Sequence, residues 1–462
     1  MLSAEKVVVE VALPWAARPT RELLRLAWPI AVSTVSWSLM TLVDTLFVGR
    51  LGAPVLAGVG LAGTLAFATL CFPLGMVRSV KVLVSQSVGA GRSNDLPAYV
   101  GAGVWLAVVL GVLPVGLAWA LAAALPSITA TAPEAEHARA YLLVRSLGAP
   151  LVLASNALRE ARYGVGEGRV PMVSAVVANG LNIALCALFV GSLGWGAAGA
   201  AWATVTAHCA ELAVLVLLPW PRMLRIGRAS LAHVRALARV GTPLGLQFLL
   251  EVGSFAVLAS MIAAMSDVQM AAHQIAIQVI HFSFLPAYAV GEAASVLVGQ
   301  AVGARRDELV RPLARRALWM AGSYMGLCAV AFLLAGGAMV AGFTPDARVR
   351  QVAVHLLWIA AVFQIFDGVN IVARCALRGT GDVKAPAWIR IVTAWMLTPP
   401  LTWLLGWHLG LGAAGGWLGL CGEVILGAVL LWWRLERGAW GTSAERSRAV
   451  LESDTGIVAQ TA

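Results

Sequence analysis

Charge is what this chain has least of. Asp, Glu, Lys and Arg together make up 12% of its 462 residues, against about 25% in an ordinary soluble domain. With 60% hydrophobic residues and a mean hydropathy of +0.83, a water-soluble globule is excluded and lipid is the expected solvent. The six cysteines (Cys71, Cys186, Cys209, Cys328, Cys375 and Cys421) lie in or beside apolar stretches at no paired spacing. That excludes a disulfide framework or a zinc site and leaves small buried hydrophobes. No G-x-x-x-x-G-K-[ST] loop occurs, and no loop has room for a nucleotide-binding domain, so ATP does not drive this chain directly. No nucleophile is paired with a base, so no enzyme and no cofactor are expected. GVGEGR at Gly164 and GTGD at Gly379 read as helix ends.

What the chain does have is long apolar runs. A bilayer core about 30 Å thick takes roughly 20 apolar residues to cross as a helix. Such segments recur at about 26–48, 54–80, 98–124, 141–161, 171–191, 197–219, 243–264, 270–298, 316–342, 352–373, 386–406 and 411–433. The expected fold is therefore an all-α integral membrane protein of twelve transmembrane helices, its partner the lipid bilayer. The segment through Pro19 carries Glu5, Lys6, Glu10 and Arg18 around a short apolar run, so no cleaved leader is expected.

The net charge of +10 is not a nucleic-acid footprint, because the basic residues sit in alternate loops rather than among aromatics on one face. One set of loops carries Arg92; Arg159, Arg162 and Arg169; Arg222, Arg225, Arg228, Arg235 and Arg239; Arg305, Arg306, Arg311, Arg315 and Arg316; and Arg374, Arg378 and Lys384. The intervening loops carry only Arg50, Arg139, Arg348 and Arg350. The positive-inside rule makes the first set cytoplasmic and puts both termini there, with Lys6, Arg21 and Arg25 at one end and Arg434 and Arg437 at the other.

The two halves repeat. Pro29 matches Pro243, and VLVSQSVGAGR from Val82 matches VLVGQAVGARR from Val296, at an offset of about 214. RYGVGEGRVP ending at Pro171 matches LRGTGDVKAP ending at Pro386, and LGWGAAGAAW from Leu193 matches LGLGAAGGWL from Leu409. Four landmarks in one order mark a duplication. It predicts two pseudo-symmetric six-helix bundles in parallel orientation: an N-terminal lobe at 1–220, a cytoplasmic linker at 221–240, a C-terminal lobe at 241–440 and a cytoplasmic tail at 441–462. In transporters built this way the substrate site lies near the midplane between the repeats.

An ionised acid at the centre of a membrane helix costs about 2.5–3.5 kcal/mol on insertion scales, so each one kept needs a partner or a task. Asp44, Glu251 and Asp367 are candidates for binding a coupling ion and a substrate, with Ser38 and Thr41 near Asp44 and Asn370 near Asp367 as local donors. Phe363, one turn before Asp367, offers a π surface to an organic cation. Asn179, Asn182, Gln274, Gln278 and Asn370 are candidate cavity-lining groups. Arg78 coincides with Glu292 at the repeat offset and suggests a gate across the cleft, in the half of the membrane near Gln86 and Gln300. His208, His273 and His281 read as interhelical hydrogen-bond partners; Glu211 and Glu423, each two residues after a Cys, receive no role.

With these residues in place, the chain resembles the multidrug and toxic compound extrusion (MATE) family, in its NorM/DinF-like bacterial branch. The match runs through LAWPI and VDTLFVGRLG, SQSVGAGR, YGVGEGRVPM, LGWGAAGAAWAT, AAHQIAIQV, VGQAVGARR and CALRGTGDVKAP in order. The resemblance implies two lobes around a V-shaped cavity and export of cationic, often aromatic, small molecules in exchange for protons or sodium. It implies a bacterial inner-membrane protein acting as a monomer. Asp44 matches the N-lobe acid used for proton or substrate binding, and Glu251 and Asp367 match acids implicated in a C-lobe cation site, which makes them a candidate sodium site. Cys186 stands where some members carry a second N-lobe acid. The alternatives are a lipid-linked precursor flippase of the same superfamily, suggested by Arg78 and Lys81, and a major facilitator carrier, opposed by a loop after span two that lacks that family's basic signature.

Overall fold

A computed structural model describes residues 13–458 apart from 130, 222 and 223. Glu5, Lys6, Glu10 and Arg222 thus lie outside the described residues. Every regular element among the described residues is helical. The N-terminal lobe comprises α1 (Pro19–Gly49), α2 (Ala53–Gly89, broken at Arg78), α3 (Leu96–Ile128), α4 (Ala132–Leu147 and Ala149–Gly164, bent by 44°), α5 (Arg169–Ser192) and α6 (Gly196–Leu217). The C-terminal lobe comprises α7 (Leu231–Ala263), α8 (Asp267–Gly303), α9 (Val310–Ala341), α10 (Ala347–Gly379), α11 (Lys384–Leu401, continuing as a π-helix over Thr402–His408) and α12 (Ala413–Arg437). A terminal helix, α13, covers Gly441–Val458. Ten of the spans are individually long and apolar enough to cross a bilayer, and the bent pair makes an eleventh. The twelfth, α11, is the repeat partner of α5. The duplication extends to irregular backbone, since α5 also ends in a π-helical turn, Ala187–Ser192.

The helix ends follow local chemistry. Ser266 and Asp346 cap α8 and α10 by accepting the backbone N–H groups of Gln269 at 3.3 Å and Arg348 at 2.8 Å. Gly438, at φ +72°, ends α12 in the left-handed conformation that glycine adopts without strain. Two boundaries differ from the sequence expectation. The Ser230 cap starts α7 at Leu231, inside the segment read as linker. Helices α4 and α10 also run past the first arginines at their ends, to Gly164 and Gly379. Arg159, Arg162, Arg374 and Arg378, read as loop charges, therefore lie within helices.

Packing separates the two ends of the molecule. Near the end that carries the termini, one buried cluster joins Leu23, Leu26 and Ile30 of α1 to Leu297 of α8 and Leu435 of α12, and another joins Val80 and Leu83 of α2 to Leu237 of α7. Both cross between lobes. Toward the other end the clusters stay within one lobe: Val48, Val59, Leu125 and Tyr141 in the first, Ile262, Leu356 and Trp417 in the second. Contacts between lobes reach as far as Ser38 Oγ to His281 Nε2, 3.0 Å, and the Phe67–Phe248 edge contact. Farther out, Gln274 and Gln278 on α8 are exposed. The lobes are thus joined at the terminal end and part toward the other.

The closed end depends on two glycines at equivalent repeat positions. A Cβ on Gly89 of α2 would come within 2.0 Å of the Gln300 carbonyl oxygen, and one on Gly303 of α8 within 2.0 Å of the Gln86 carbonyl oxygen. No methyl fits there unless the helices separate, and forced overpacking costs about 1–3 kcal/mol. Gly89→Ala and Gly303→Ala are each expected to lower the melting temperature of the solubilised protein by similar amounts. Gly322→Ala, with nothing within 4 Å of its new Cβ, should leave it unchanged; equal melting of all three would show that the close crossing does not hold the closed end.

Candidate functional site

Three groups of ionisable side chains lie inside the helices. The first spans the lobe boundary. Lys81, on the α2 segment after the Arg78 break, pairs with Glu292 of α8 and lies 3.0 Å from Glu160 of α4, while Glu292 also accepts from Arg378 of α10 at 3.0 Å. This is the gate region expected from the sequence, with a different pairing. The cation that meets Glu292 across the boundary is Lys81 rather than Arg78. The helix break turns Arg78 away, and its guanidinium sits over the Phe248 ring of α7 at 4.6 Å from the centroid.

The second group belongs to the N-terminal lobe. Asp44 is buried on α1, and its donors come from neighbouring helices rather than from Ser38 or Thr41. Thr204 Oγ1 donates to Oδ2 at 2.7 Å, and Asn182 Nδ2 and Cys186 Sγ donate to Oδ1 at 3.1 and 3.4 Å. All three donors are uncharged. Cys186 thus faces Asp44 from α5. Asn179 is buried beside it and donates to the Ser36 carbonyl at 2.9 Å, which makes it an interhelical tie rather than a cavity group. Deeper in the lobe Arg159 pairs with Glu211, and His208 Nδ1 lies 3.1 Å from Glu211 Oε2. Arg159 also stacks over Trp37 at 5.3 Å.

The third group belongs to the C-terminal lobe. Glu251 of α7 accepts from Arg374 at 3.2 Å, Arg390 at 2.9 Å and Gln247 at 3.0 Å. Arg390 continues to Glu423 at 3.0 Å, and Thr398 donates to Glu423 at 2.5 Å. The carboxylate expected to help hold sodium therefore already carries two guanidinium groups. Asp367 is half-buried on α10, and among the described residues its side chain forms no hydrogen bond or ion pair. Asn370 is buried, its Nδ2 without a partner. Phe363, expected to face the cleft, is instead buried against Trp417 at 6.1 Å between centroids. The helix turn that presents Asp367 to the lobe interior turns Phe363 into the lobe's core. Gln274 and Gln278, expected to line the cavity, are exposed on α8.

Sequence reasoning missed Arg159, Arg374, Arg390, Glu211 and Glu423. The repeat carried the signal for two of them, since Arg159 aligns with Arg374 at an offset of 215. Where the C-terminal lobe has Glu251 the N-terminal lobe has Trp37, so equivalent arginines meet a carboxylate in one lobe and an indole face in the other.

Two duplicated six-helix lobes, locked together at one end, parted at the other and each holding a buried acid, define an internally symmetric membrane transporter. The chain belongs to the MatE family, whose model matches residues 29–188 and 243–404, once in each lobe. It is 32% identical to a probable multidrug resistance protein NorM of Pseudomonas syringae pv. tomato, over 91% of this chain and 95% of that one. The same identity links it to the Deinococcus radiodurans protein of that name, over 89% and 94%. Among solved structures it superposes on an outward-facing multidrug resistance MATE family transporter with TM-score 0.83 at 21% identity, covering 92% of this chain and 97% of that one. It also superposes on a MOP superfamily transporter from Pyrococcus furiosus, described as having reversed polarity in its binding pocket, with TM-score 0.83 at 20% identity, over 94% and 96%.

Breaking a buried ion pair by removing one partner costs about 3–5 kcal/mol, because the remaining charge stays desolvated. Glu211→Gln strands Arg159 in this way and is expected to lower the melting temperature well below wild type. Asp44→Asn removes a charge that has only neutral partners and should leave it close to wild type. A reversed order of the two would mean that Glu211 is not what holds Arg159.

Proposed function

We propose that the protein exports organic cations from the cytoplasm by alternating access, in exchange for protons, as a monomer in a bacterial inner membrane. The observation that carries this reading is Asp44, a buried carboxylate with neutral donors only. It can gain or lose a proton without breaking an ion pair, and when ionised it can hold a cation. Asp367 is its counterpart in the other lobe, unbonded beside an arginine-rich cluster. Protonation of these acids from the open side weakens the hold on a cationic substrate, and proton loss toward the cytoplasm restores it. Coupling follows if occupancy by one cation disfavours the other. The basic, terminal end is the cytoplasmic one, so the parted end opens outward.

A proton suits the C-terminal lobe better than sodium. Sodium needs several free oxygens, whereas Glu251 is already taken by three donors, and the charges of Arg374 and Arg390 repel a second cation. A lipid-linked precursor flippase is not favoured: the relatives are multidrug resistance proteins, and the basic groups that would hold a pyrophosphate are engaged, Lys81 by two carboxylates and Arg78 by an aromatic face. The site is complete within one chain, which supports a monomer.

Ethidium efflux from cells or everted vesicles, under an imposed proton or sodium gradient, tests this. The proton gradient alone should drive efflux, with Asp44→Asn and Asp367→Asn each slowing it about tenfold or more at equal expression. Efflux driven by sodium alone would overturn the choice of ion. Absence of efflux under both gradients would overturn the organic-cation reading.

A further inference from the structure

Two glutamines at equivalent repeat positions make the same contact in opposite directions. Gln86 of the N-terminal lobe donates its Nε2 to the Gly379 carbonyl of the C-terminal lobe at 2.9 Å, and Gln300 of the C-terminal lobe donates its Nε2 to the Gly164 carbonyl of the N-terminal lobe at 3.3 Å. Gly164 and Gly379 end α4 and α10, and they too are repeat equivalents. Each amide therefore ties its own lobe to the last turn of a helix in the other, at the end where Gly89 and Gly303 bring α2 and α8 together.

The other half of each amide is also used, by segments outside the duplication. Gln300 Oε1 accepts from Trp15 Nε1 at 2.8 Å, and Gln86 Oε1 accepts from Ser447 Oγ at 2.5 Å. Trp15 lies in a short 3-10 turn, Pro14–Ala17, before α1. Ser447 lies on α13, whose Ala444 and Leu451 are buried. Helix α13 bridges the boundary again: Arg448 pairs with Asp307 of the C-terminal lobe at 2.8 Å, and the Leu451 carbonyl accepts from Arg92 of the N-terminal lobe. Once Trp15 and Ser447 are in place, both amides have a donor contact and an acceptor contact in a fixed orientation.

We propose that Gln86 and Gln300 are the paired positioning residues that hold the inner end of the transporter shut, and that the Trp15 turn and α13 act as caps on them which must leave before that end opens. This rests on the alternating-access reading above. The duplication supplies the symmetric lock, and these two unduplicated segments set how tightly it holds. Opening the cytoplasmic end breaks the two amide-to-glycine contacts and exposes the boundary behind them, where Cys375 is fully buried with its Sγ 3.7 Å from Glu292. Loss of a cap frees the amide to rotate away from its glycine and favours opening.

The test needs neither substrate nor gradient. In a chain whose other five cysteines are replaced, Cys375 is labelled with a membrane-impermeant maleimide from the side on which a C-terminal tag is accessible. Labelling should be about fivefold faster or more in Gln86→Ala/Gln300→Ala, and faster to a lesser degree in Ser447→Ala and in Trp15→Phe. Arg448→Asp should also speed it, and Arg448→Asp/Asp307→Arg should return it toward the parent rate. This exchange carries the test if the glutamine variant is not monodisperse. Unchanged labelling in Arg448→Asp and in whichever glutamine variants fold would overturn the proposal. A protein that exports no ethidium yet shows the predicted labelling would lose its organic-cation assignment and keep its lock.

Discussion

Charge inside a bilayer is held only where an opposite charge, a ring of donors or water meets it, and most of the architecture here follows from that constraint. An uncompensated ion in an apolar interior costs several kcal/mol, so Lys81, Arg159, Arg374, Arg378 and Arg390 each sit within reach of a carboxylate on a different helix. These pairs fix helix positions that apolar packing alone would leave degenerate, since lipid tails and leucine side chains are equally apolar. Lys81 bears most directly on the two lobes: with Glu160 on its own side and Glu292 on the other, it remains partnered when the lobes are apart, whereas Glu292 keeps Arg378. Each ion thus retains a partner within its own lobe, which lets a charged boundary separate without leaving a bare charge in lipid.

The duplication explains why closure is concentrated at one end. Helices α2 and α8 are repeat equivalents and cross close to the pseudo-two-fold axis, so any feature that permits close approach on one recurs on the other. Gly89 and Gly303 are that feature, and Gln86 and Gln300 sit one turn before them. The α2–α7 crossing between the lobes has no such match: Gly75 packs on Gly245, but the repeat equivalents of these two are Ala289 and Ala31. A tight symmetric contact at one end and looser contacts elsewhere is the arrangement expected of two bodies that rock about a shared point.

Much of this was legible in the sequence. Apolar run length gave the twelve spans, and four repeated landmarks gave the two lobes, because both depend on properties that add up over many residues. Asp44 and Asn182 stood out for the same reason, as polar groups inside long apolar segments. The arginines did not, because they were read as charges of the cytoplasmic loops, whereas a helix ends where its hydrogen bonding ends; α4 and α10 carry Arg159, Arg374 and Arg378 within them. Phe363 failed for a geometric reason. Residues four apart share a helix stripe, but that stripe is wide enough for Asp367 to be half-exposed while Phe363 packs on Trp417. Lys81 replaced Arg78 because the expected pair rested on the repeat offset alone, whereas α2 breaks at Arg78 and the segment after the break brings Lys81 to Glu292. Nothing in the composition of α13, a polar helix after the last span, pointed to its place across the lobe boundary; that depends on Gln86, some 360 residues earlier.

The lobes share a backbone but divide the chemistry. In the N-terminal lobe the central acid, Asp44, meets a hydroxyl, an amide and a thiol, while the lobe's arginine is satisfied separately by Glu211 and the Trp37 face. In the C-terminal lobe the corresponding arginine is drawn into one network with Glu251, Arg390 and Glu423, beside which Asp367 stands unbonded. A charge added to a network of alternating ions is shared among several groups and changes each contact slightly, whereas one added to Asp44 falls on a single site and alters three hydrogen bonds at once. The duplicated backbone therefore carries two different arrangements of charge: an acid met by neutral donors in the first lobe, and in the second an ion network that leaves one acid outside it.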